Sequence, residues 1–371
     1  MSVLVILGAS ITALAVARDA HCHGLQPVIV DQADGPAFHC RWVTPVRVSA
    51  IAEPATLRSI IDVGLGVPDA ALISTADHWT RFVIEHRSTL TSSFRAILQA
   101  SNATLEICLD KLAFSEWCVA SGLPTPLSWV PTLSPRPAAL AFPLLLRPVR
   151  TVHNSPMLGL PKAVEARDEA ELADWLRQYD AKGVVPLVSE SLLNRPLEQY
   201  SVPFARSRER ILLFTARKVR PEAALCQTGT FVQMCVDDRI ERLARSTIAR
   251  LDYFGIGEIE ILRDCKSDTD YLIEINARPW LQYALAPASG HDFLSLILGR
   301  RVGTKAPLRE GRMWLNLHDD LFVAFSRSIG IVRHGRLGVL GYLQSLMRAN
   351  VFALFDWRDP RPFLMSLRRR P

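Results

Sequence analysis

Apolar residues in the first hundred positions fall into short unbroken runs separated by longer amphipathic stretches. Val3–Leu7 is wholly apolar and stops at Gly8. An Ala-rich stretch with helical spacing follows over 11–20, and residues 27–30 and 70–74 are further apolar runs, ending near Asp31 and Asp77. Apolar runs of this length predict strands covered on both faces, and the helices between them predict βαβ units around a parallel sheet. Loops at the carboxyl ends of such strands usually face a ligand. The Gly8-Ala9-Ser10 turn and Asp31 are a weak dinucleotide signal, because a full G-x-G-x-x-G is missing. Ser10 and Asp77 sit where an amino substrate would dock, although both also read as turn caps.

The rhythm then changes. Residues 110–120 predict a helix, and a proline-rich stretch over 122–148 leads into a strand at 143–146. Asp168 with Glu171 reads as the cap and capping box of a helix over 168–179. Strands follow at 184–189, 199–204, 211–219 and 229–234, then a helix at 238–253. Two last strands, 257–262 and 271–275, flank a polar turn at 266–270. From 301 onward the chain is aliphatic with scattered arginines. Leu337, Leu340, Met347 and Val351 keep rough helical spacing and predict helices packed on the main body. The other reading of this segment is an amphipathic stretch resting on a membrane surface, given Arg333, Arg336, Arg348 and the terminal Arg368, Arg369 and Arg370.

Composition narrows the picture only a little. The 371 residues are 49% apolar and 22% charged, enough for a sizeable core in two or three domains. A net charge of +6 and a pI near 9.1 favour an anionic partner. No aromatic-interleaved basic stripe is present, so nucleic acid is not the expected one. Seven cysteines with no C-x-x-C pair argue against a zinc site or disulfide framework and for free thiols in a reducing, cytoplasmic setting. His21-Cys22-His23 reads as a helix end rather than a metal site. No basic residue precedes the first apolar run, and no apolar run reaches 18 residues, so neither a signal peptide nor a spanning helix is expected.

The sharpest chemical signal is Gly257-Glu-Ile-Glu260-Ile-Leu followed by Tyr271-Leu-Ile-Glu274-Ile-Asn276-Ala-Arg278. Side chains alternate along a strand, so Glu258 and Glu260 share one face and Glu274 and Asn276 share another. A short turn makes the strands antiparallel neighbours, which brings Glu260 toward Glu274. Adjacent carboxylates repel unless a cation sits between them. Oxygen ligands without His or Cys point to Mg²⁺ carrying substrate phosphates. The competing reading is two polar strand faces in water. Arg278 lies just beyond and is placed to neutralise phosphate.

Taken in order, the motifs resemble the ATP-grasp superfamily, in particular its carboxylate–amine ligases, over roughly residues 1–300. The residues that carry the resemblance are Asp110-Lys111 with Gly122-Leu-Pro124-Thr-Pro126, Phe142-Pro143-Leu-Leu-Leu-Arg147-Pro148, Lys162, Ser189-Glu190-Ser-Leu192, Gly255 with Glu260, and Glu274-Ile-Asn276-Ala-Arg278. The resemblance implies an α/β (α+β) chain. It divides into a Rossmann-like pre-ATP-grasp domain (1–105), an ATP-grasp N-lobe (106–185), a C-lobe with the metal site (186–300) and a helical C-terminal extension (301–371). It implies ATP with Mg²⁺, or Mn²⁺ in its place, and small-molecule carboxylate and amine substrates joined through an acylphosphate. Lys111, Arg147 and Lys162 would contact phosphates, Glu190 and Leu192 the adenine, and Glu198 the ribose. Glu260, Glu274 and Asn276 would hold the metal. Arg278, Lys218 and Arg147 would stabilise the transferring phosphoryl group; of the basic strand end Arg217, Lys218 and Arg220, alternation puts only Lys218 and Arg220 on one face. Two departures stand out. Arg147 occupies a position that usually carries lysine, and residues 149–159 are not glycine-rich, leaving Arg150, His153, Asn154 and Ser155 to substitute for backbone amides. The alternatives are a nucleotide-binding scaffold without catalysis, and a membrane-surface ligase acting on a lipid-linked or cell-wall precursor.

Overall fold

The computed structural model describes residues 2–150, 159–220, 228–302, 311–326, 330–335 and 337–368. The apolar runs at the start of the chain are the buried strands β1 (Val3–Leu7), β2 (Gln26–Asp31), β3 (Thr44–Arg47), β4 (Ala71–Ser74) and β5 (Ala96–Ile97). They form one parallel sheet in the order β3-β2-β1-β4-β5. Helices α1 (Ile11–Cys22), α2 (Pro54–Leu65) and α3 (Asp77–Ser93) connect them. Ser10 caps α1 through its hydroxyl, the cap reading of that residue. Gly8 has φ +116°, and a Cβ there would lie 2.5 Å from the Thr75 hydroxyl oxygen, so the turn requires glycine. Asp31 is committed to the same turn. Its carboxylate accepts from the backbone N–H of Ala9 and of Gln32, both at 2.7 Å, and it fastens the loop rather than standing ready for a ribose. His23 closes the end of α1, with Nε2 3.4 Å from Asp19 and 3.2 Å from Asp292.

Two helices follow, α4 (Asn102–Leu109) and α5 (Lys111–Ala120). The first was not expected; it is a short element capped by Ser101 and carries little periodic signal. The second starts where the sequence predicts, with Asp110 accepting from the N–H groups of Leu112 and Ala113. A four-stranded sheet comes next, β6 (Ser128–Trp129), β7 (Leu144–Pro148), β8 (Val164–Ala166) and β9 (Pro186–Glu190), ordered β6-β9-β7-β8. Its helix α6 (Glu169–Ala181) is capped by Asp168, while Glu171 reaches back to the N–H of Arg167 at 2.8 Å.

The largest sheet is built from β10 (Leu197–Arg206), β11 (Ile211–Leu213), β12 (Thr215–Arg220), β13 (Phe231–Cys235), β14 (Gly255–Asp264) and β15 (Thr269–Asn276), with α7 (Asp238–Arg250) packed beneath. The single strand expected over 211–219 is two, because Phe214 leaves the ladder to pack on Trp280 and Phe293. The remaining elements are α8 (Leu285–Ser289), α9 (Phe293–Ile297), β16 (Met313–Leu315), α10 (Leu317–Phe325), α11 (Val339–Arg348), β17 (Val351–Phe352) and α12 (Arg361–Arg368). The C-terminal segment is therefore not only helical. β16 and β17 extend the sheet to eight strands in the order β15-β14-β10-β12-β13-β16-β17, with β11 pairing off β10. Strands of three and two residues are too short to show alternation, so Val351, read as helical, sits in a strand.

Buried ion pairs stitch this segment to the body. Arg18 meets Asp359 at 3.1 Å. Arg220 grips Asp320 with two contacts of 2.9 and 2.8 Å, and Thr230 and Tyr342 also donate to that carboxylate. Alternation placed Arg220 on the face of Lys218, but a bulge lies between them in the β12–β13 ladder and turns Arg220 toward α10 and α11. No helix among the described residues is long and apolar enough to cross a membrane. Removing Asp320 would leave the Arg220 guanidinium buried and uncompensated, so Asp320→Ala should lose about 3–5 kcal/mol. Urea unfolding checks this, and a loss below about 1 kcal/mol would show that the pair is not the fastener described.

Candidate functional site

The β14–β15 ladder sets the site. Glu260 lies directly opposite Glu274, and Glu258 opposite Asn276. Ile259, Ile261 and Ile275 point the other way into the core over α7. Both carboxylate positions therefore face a cleft between the large sheet and the four-stranded sheet, with a wider section of about 470 Å³ and a narrower one of about 120 Å³ that share Arg147, Lys162, Lys218, Glu260 and Glu274.

Three carboxylates on one half-buried face need compensation, and the neighbouring strands provide it. Lys218 of β12 places Nζ 2.8 Å from Glu260. Gln199 of β10 donates to the other Glu260 oxygen at 3.0 Å. Ser201 donates to Glu258, and so does Asn276 through Nδ2 at 2.8 Å. Burial would raise the Glu260 carboxyl, but the Lys218 ammonium outweighs it and holds Glu260 low. Burial would likewise lower Lys218, and Glu260, Glu258 and Glu274 outweigh that and raise it. Glu258 is only 3% exposed, and desolvation pushes it up to about 7 despite Lys218.

Cations line the opposing wall. Arg147 is carried by β7, Lys162 precedes β8, and Lys111 opens α5. Among the described residues the Arg147 Nε is buried without a hydrogen-bond partner, a donor left unmet. Burial lowers Lys111, Glu274 opposes that shift, and Arg147 and Lys162 add to it, so these groups share one electrostatic field. At the narrow end Glu190 and the buried Leu192 join Leu145, Leu262 and Ile273 in a mostly apolar slot. Glu190 is braced by Arg195 at 3.2 Å. At the wide end Arg278 is held by Asp77 at 2.6 Å and donates to the Asn276 side-chain oxygen at 3.3 Å.

Lys111, Arg147, Lys162, Glu190, Leu192, Lys218, Glu260, Glu274, Asn276 and Arg278 thus line one cleft. Glu198 does not. It faces the other side of β10, where Tyr200 donates to it at 2.7 Å and Arg217 pairs with it at 2.9 Å. Alternation explains the miss, since Gln199, one residue on, holds the cleft-facing position. Arg220 is occupied by Asp320 as described. Asp77 opens α3 and lines the cleft, where it holds Arg278, and Ser10 caps its helix. His153, Asn154 and Ser155 lie outside the described residues, and Arg150 pairs with Asp110 at 2.8 Å. Beyond Gln199, the sequence reading missed Arg81, which α3 brings into the wide end one turn after Asp77; their i, i+4 spacing was the available signal.

Among the described residues no group of three or more His, Cys, Asp or Glu side chains is arranged to hold a metal ion by itself. Magnesium needs less, since one or two carboxylates and the phosphates of a substrate complete its shell. The donors on the β14–β15 wall are oxygens of Glu260, Glu274 and Asn276, which fits a hard cation. The unmet Arg147 donor and the surrounding cations fit a polyphosphate.

No known family profile matches this sequence, and no curated protein matches it. Solved structures do match its fold. N5-carboxyaminoimidazole synthetase from Staphylococcus aureus, complexed with ADP, aligns with a TM-score of 0.69 at 14% identity over 86% of this chain and 84% of that one. Carboxyaminoimidazole ribonucleotide synthase from Aspergillus clavatus, complexed with ATP, gives 0.65 at 15% over 85% and 81%. The L-amino acid ligase from Bacillus licheniformis gives 0.61 at 15% over 84% and 78%. The fold is the ATP-grasp fold preceded by a parallel α/β sheet, as the sequence motifs implied.

The state of Glu258 yields a pH signature. Its folded pKa near 7 stands above the ordinary 4.5, so folding favours the protonated form. That contribution is complete below about 4.5 and is lost as pH rises through about 7. Thermal unfolding of Glu258→Gln should therefore gain on wild type between pH 5 and pH 8. A pH-independent difference in Tm would contradict this.

Proposed function

We propose that this chain is an ATP- and Mg²⁺-dependent ligase that joins a carboxylate to an amine through an acylphosphate, releasing ADP and phosphate. The observation that carries the reading is the juxtaposition of Glu260 and Glu274 on one wall with Lys111, Arg147 and Lys162 across the same cleft. The ADP and ATP complexes among structures of this fold support a nucleotide there. We assign residues 1–105 and 186–300 to the walls of the acceptor end, 106–185 with 186–300 to the nucleotide cleft, and 301–371 to an extension that braces the large sheet.

In this reading the adenine enters the slot at Glu190 and Leu192, and the phosphates run along Arg147, Lys162 and Lys111. Glu260, Glu274 and Asn276 would hold Mg²⁺, which would supply positive charge against the charge that develops during phosphoryl transfer. The substrate carboxylate oxygen bonds to the γ-phosphorus while the bond to the ADP oxygen breaks. The amine nitrogen then bonds to the acyl carbon, the carbon–oxygen bond to phosphate breaks, and the amine proton leaves to solvent. Lys218 and Arg278 flank the reacting end, placed to stabilise the anionic transition states of both steps. Arg81 lines the wide end and is placed to receive an anionic group of the acceptor.

An ADP-release screen against paired panels of amino acids, amines and carboxylic acids tests the reaction. A productive pair should lose roughly 100-fold or more of its rate in Glu274→Ala with the Tm retained. Arg147→Lys should be milder than Arg147→Ala, because a point charge keeps part of the phosphate contact. Full turnover by Glu274→Ala would refute the metal wall, and nucleotide binding with no acceptor-dependent turnover would leave a binding protein instead of a ligase.

A further inference from the structure

The chain's positive charge is not spread evenly. Residues 311–371 hold ten arginines and four aspartates, with no lysine or glutamate, so the entire surplus of six positive charges lies there and residues 1–310 are neutral. Two of the four aspartates, Asp320 and Asp359, are buried in the ion pairs with Arg220 and Arg18. What this segment presents outward is thus nearly all of one sign, with Arg333, Arg348, Arg358, Arg361 and Arg368 exposed.

The same surface is apolar to an unusual degree. Helix α11 buries Tyr342 and packs Leu346 against it, yet its outer face carries Leu340 at 70%, Leu343 and Met347 at 78% exposure, spaced i, i+3, i+7. Gln344, Ser345 and Arg348 keep one side of α11 polar, so Leu340, Leu343 and Met347 form a separate exposed apolar stripe, the kind of patch that a partner surface covers. Helix α10 continues the surface. Phe325 stacks edge-on against Tyr342, Phe322 is 69% exposed, and Leu321 borders an apolar groove of about 410 Å³ shared with Phe363 and Leu367 of α12. Trp357 stands 85% exposed at that groove. On α12 itself Arg361, Leu364 and Arg368 fall on one face.

We propose that this C-terminal face docks on an anionic lipid bilayer. The chemistry of the face selects that occupant. Exposed Trp, Phe and Leu side chains enter the interfacial region, while arginines of a single sign meet anionic headgroups and leave their stems in the apolar layer. No helix among the described residues is long and apolar enough to span, so the proposed contact is peripheral. Because strands β16 and β17 and the Asp320 and Asp359 ion pairs hold the segment to the body, docking there fixes the whole protein to the surface rather than a tethered tail.

Flotation of the full chain with phosphatidylcholine vesicles, with and without phosphatidylglycerol, tests this without nucleotide or turnover, so its outcome is separate from the ligase reading. The protein should float with the anionic vesicles, stay behind with the zwitterionic ones, and be released by high salt. Leu340→Glu with Met347→Glu, and independently Leu364→Glu with Leu367→Glu, should each weaken binding by about tenfold or more while Tm is unchanged, since all four side chains are exposed. No flotation of the wild type at low salt would overturn the proposal. So would unchanged flotation of both variants, or a dimer in solution that the same substitutions dissociate while vesicles go unbound.

Discussion

Three carboxylates, Glu258, Glu260 and Glu274, share one face of a strand pair, and a protein interior cannot hold that much like charge unaided. Everything around the cleft answers this constraint. Lys218 is brought in from β12 and Gln199 and Ser201 from β10, so the two strands that follow β14 in the sheet order are committed to the same charges. Glu258 gives up its proton late and so lowers the burden further. Among the described residues Glu274 has no close ion pair of its own, and Lys111, Lys218 and Arg278 act on it at longer range.

The rest of the architecture positions the counter-wall. The four-stranded sheet carries Arg147 and Lys162 toward the carboxylates, and the parallel sheet sends in Asp77 and Arg81 from the start of α3. Arg278 joins these parts, with Asp77 on one side and Asn276 on the other. The cleft is therefore made by three sheets, and its polarity changes along its length, from the apolar slot at Leu192 to the charged wide end. On the far side of the large sheet the C-terminal segment adds two strands and buries Asp320 beneath Arg220. That pairing takes a basic residue out of the site and uses it to attach a surface of quite different character.

Much of this was legible in the sequence because it rests on periodicity and spacing. The apolar runs gave the parallel sheet, and alternation with a short turn placed Glu260 against Glu274. What was not legible depended on single-residue shifts. The bulge after Lys218 sent Arg220 to the opposite face. Glu198 and Gln199 lie on opposite sides of the sheet, and only the folded structure shows that Gln199 takes the cleft side. Helix α4 and strands β16 and β17 are too short to show a period, and Arg81 enters only through tertiary packing.

The central claim is that a divalent cation occupies the Glu260–Glu274 wall together with a nucleotide. Crystals grown with Mn²⁺ and a non-hydrolysable ATP analogue would test it through the anomalous signal of manganese. The account predicts an anomalous peak between the Glu260 and Glu274 carboxylates, in contact with the analogue's phosphates. Nucleotide bound in the cleft with no peak there, or with manganese held elsewhere, would contradict it.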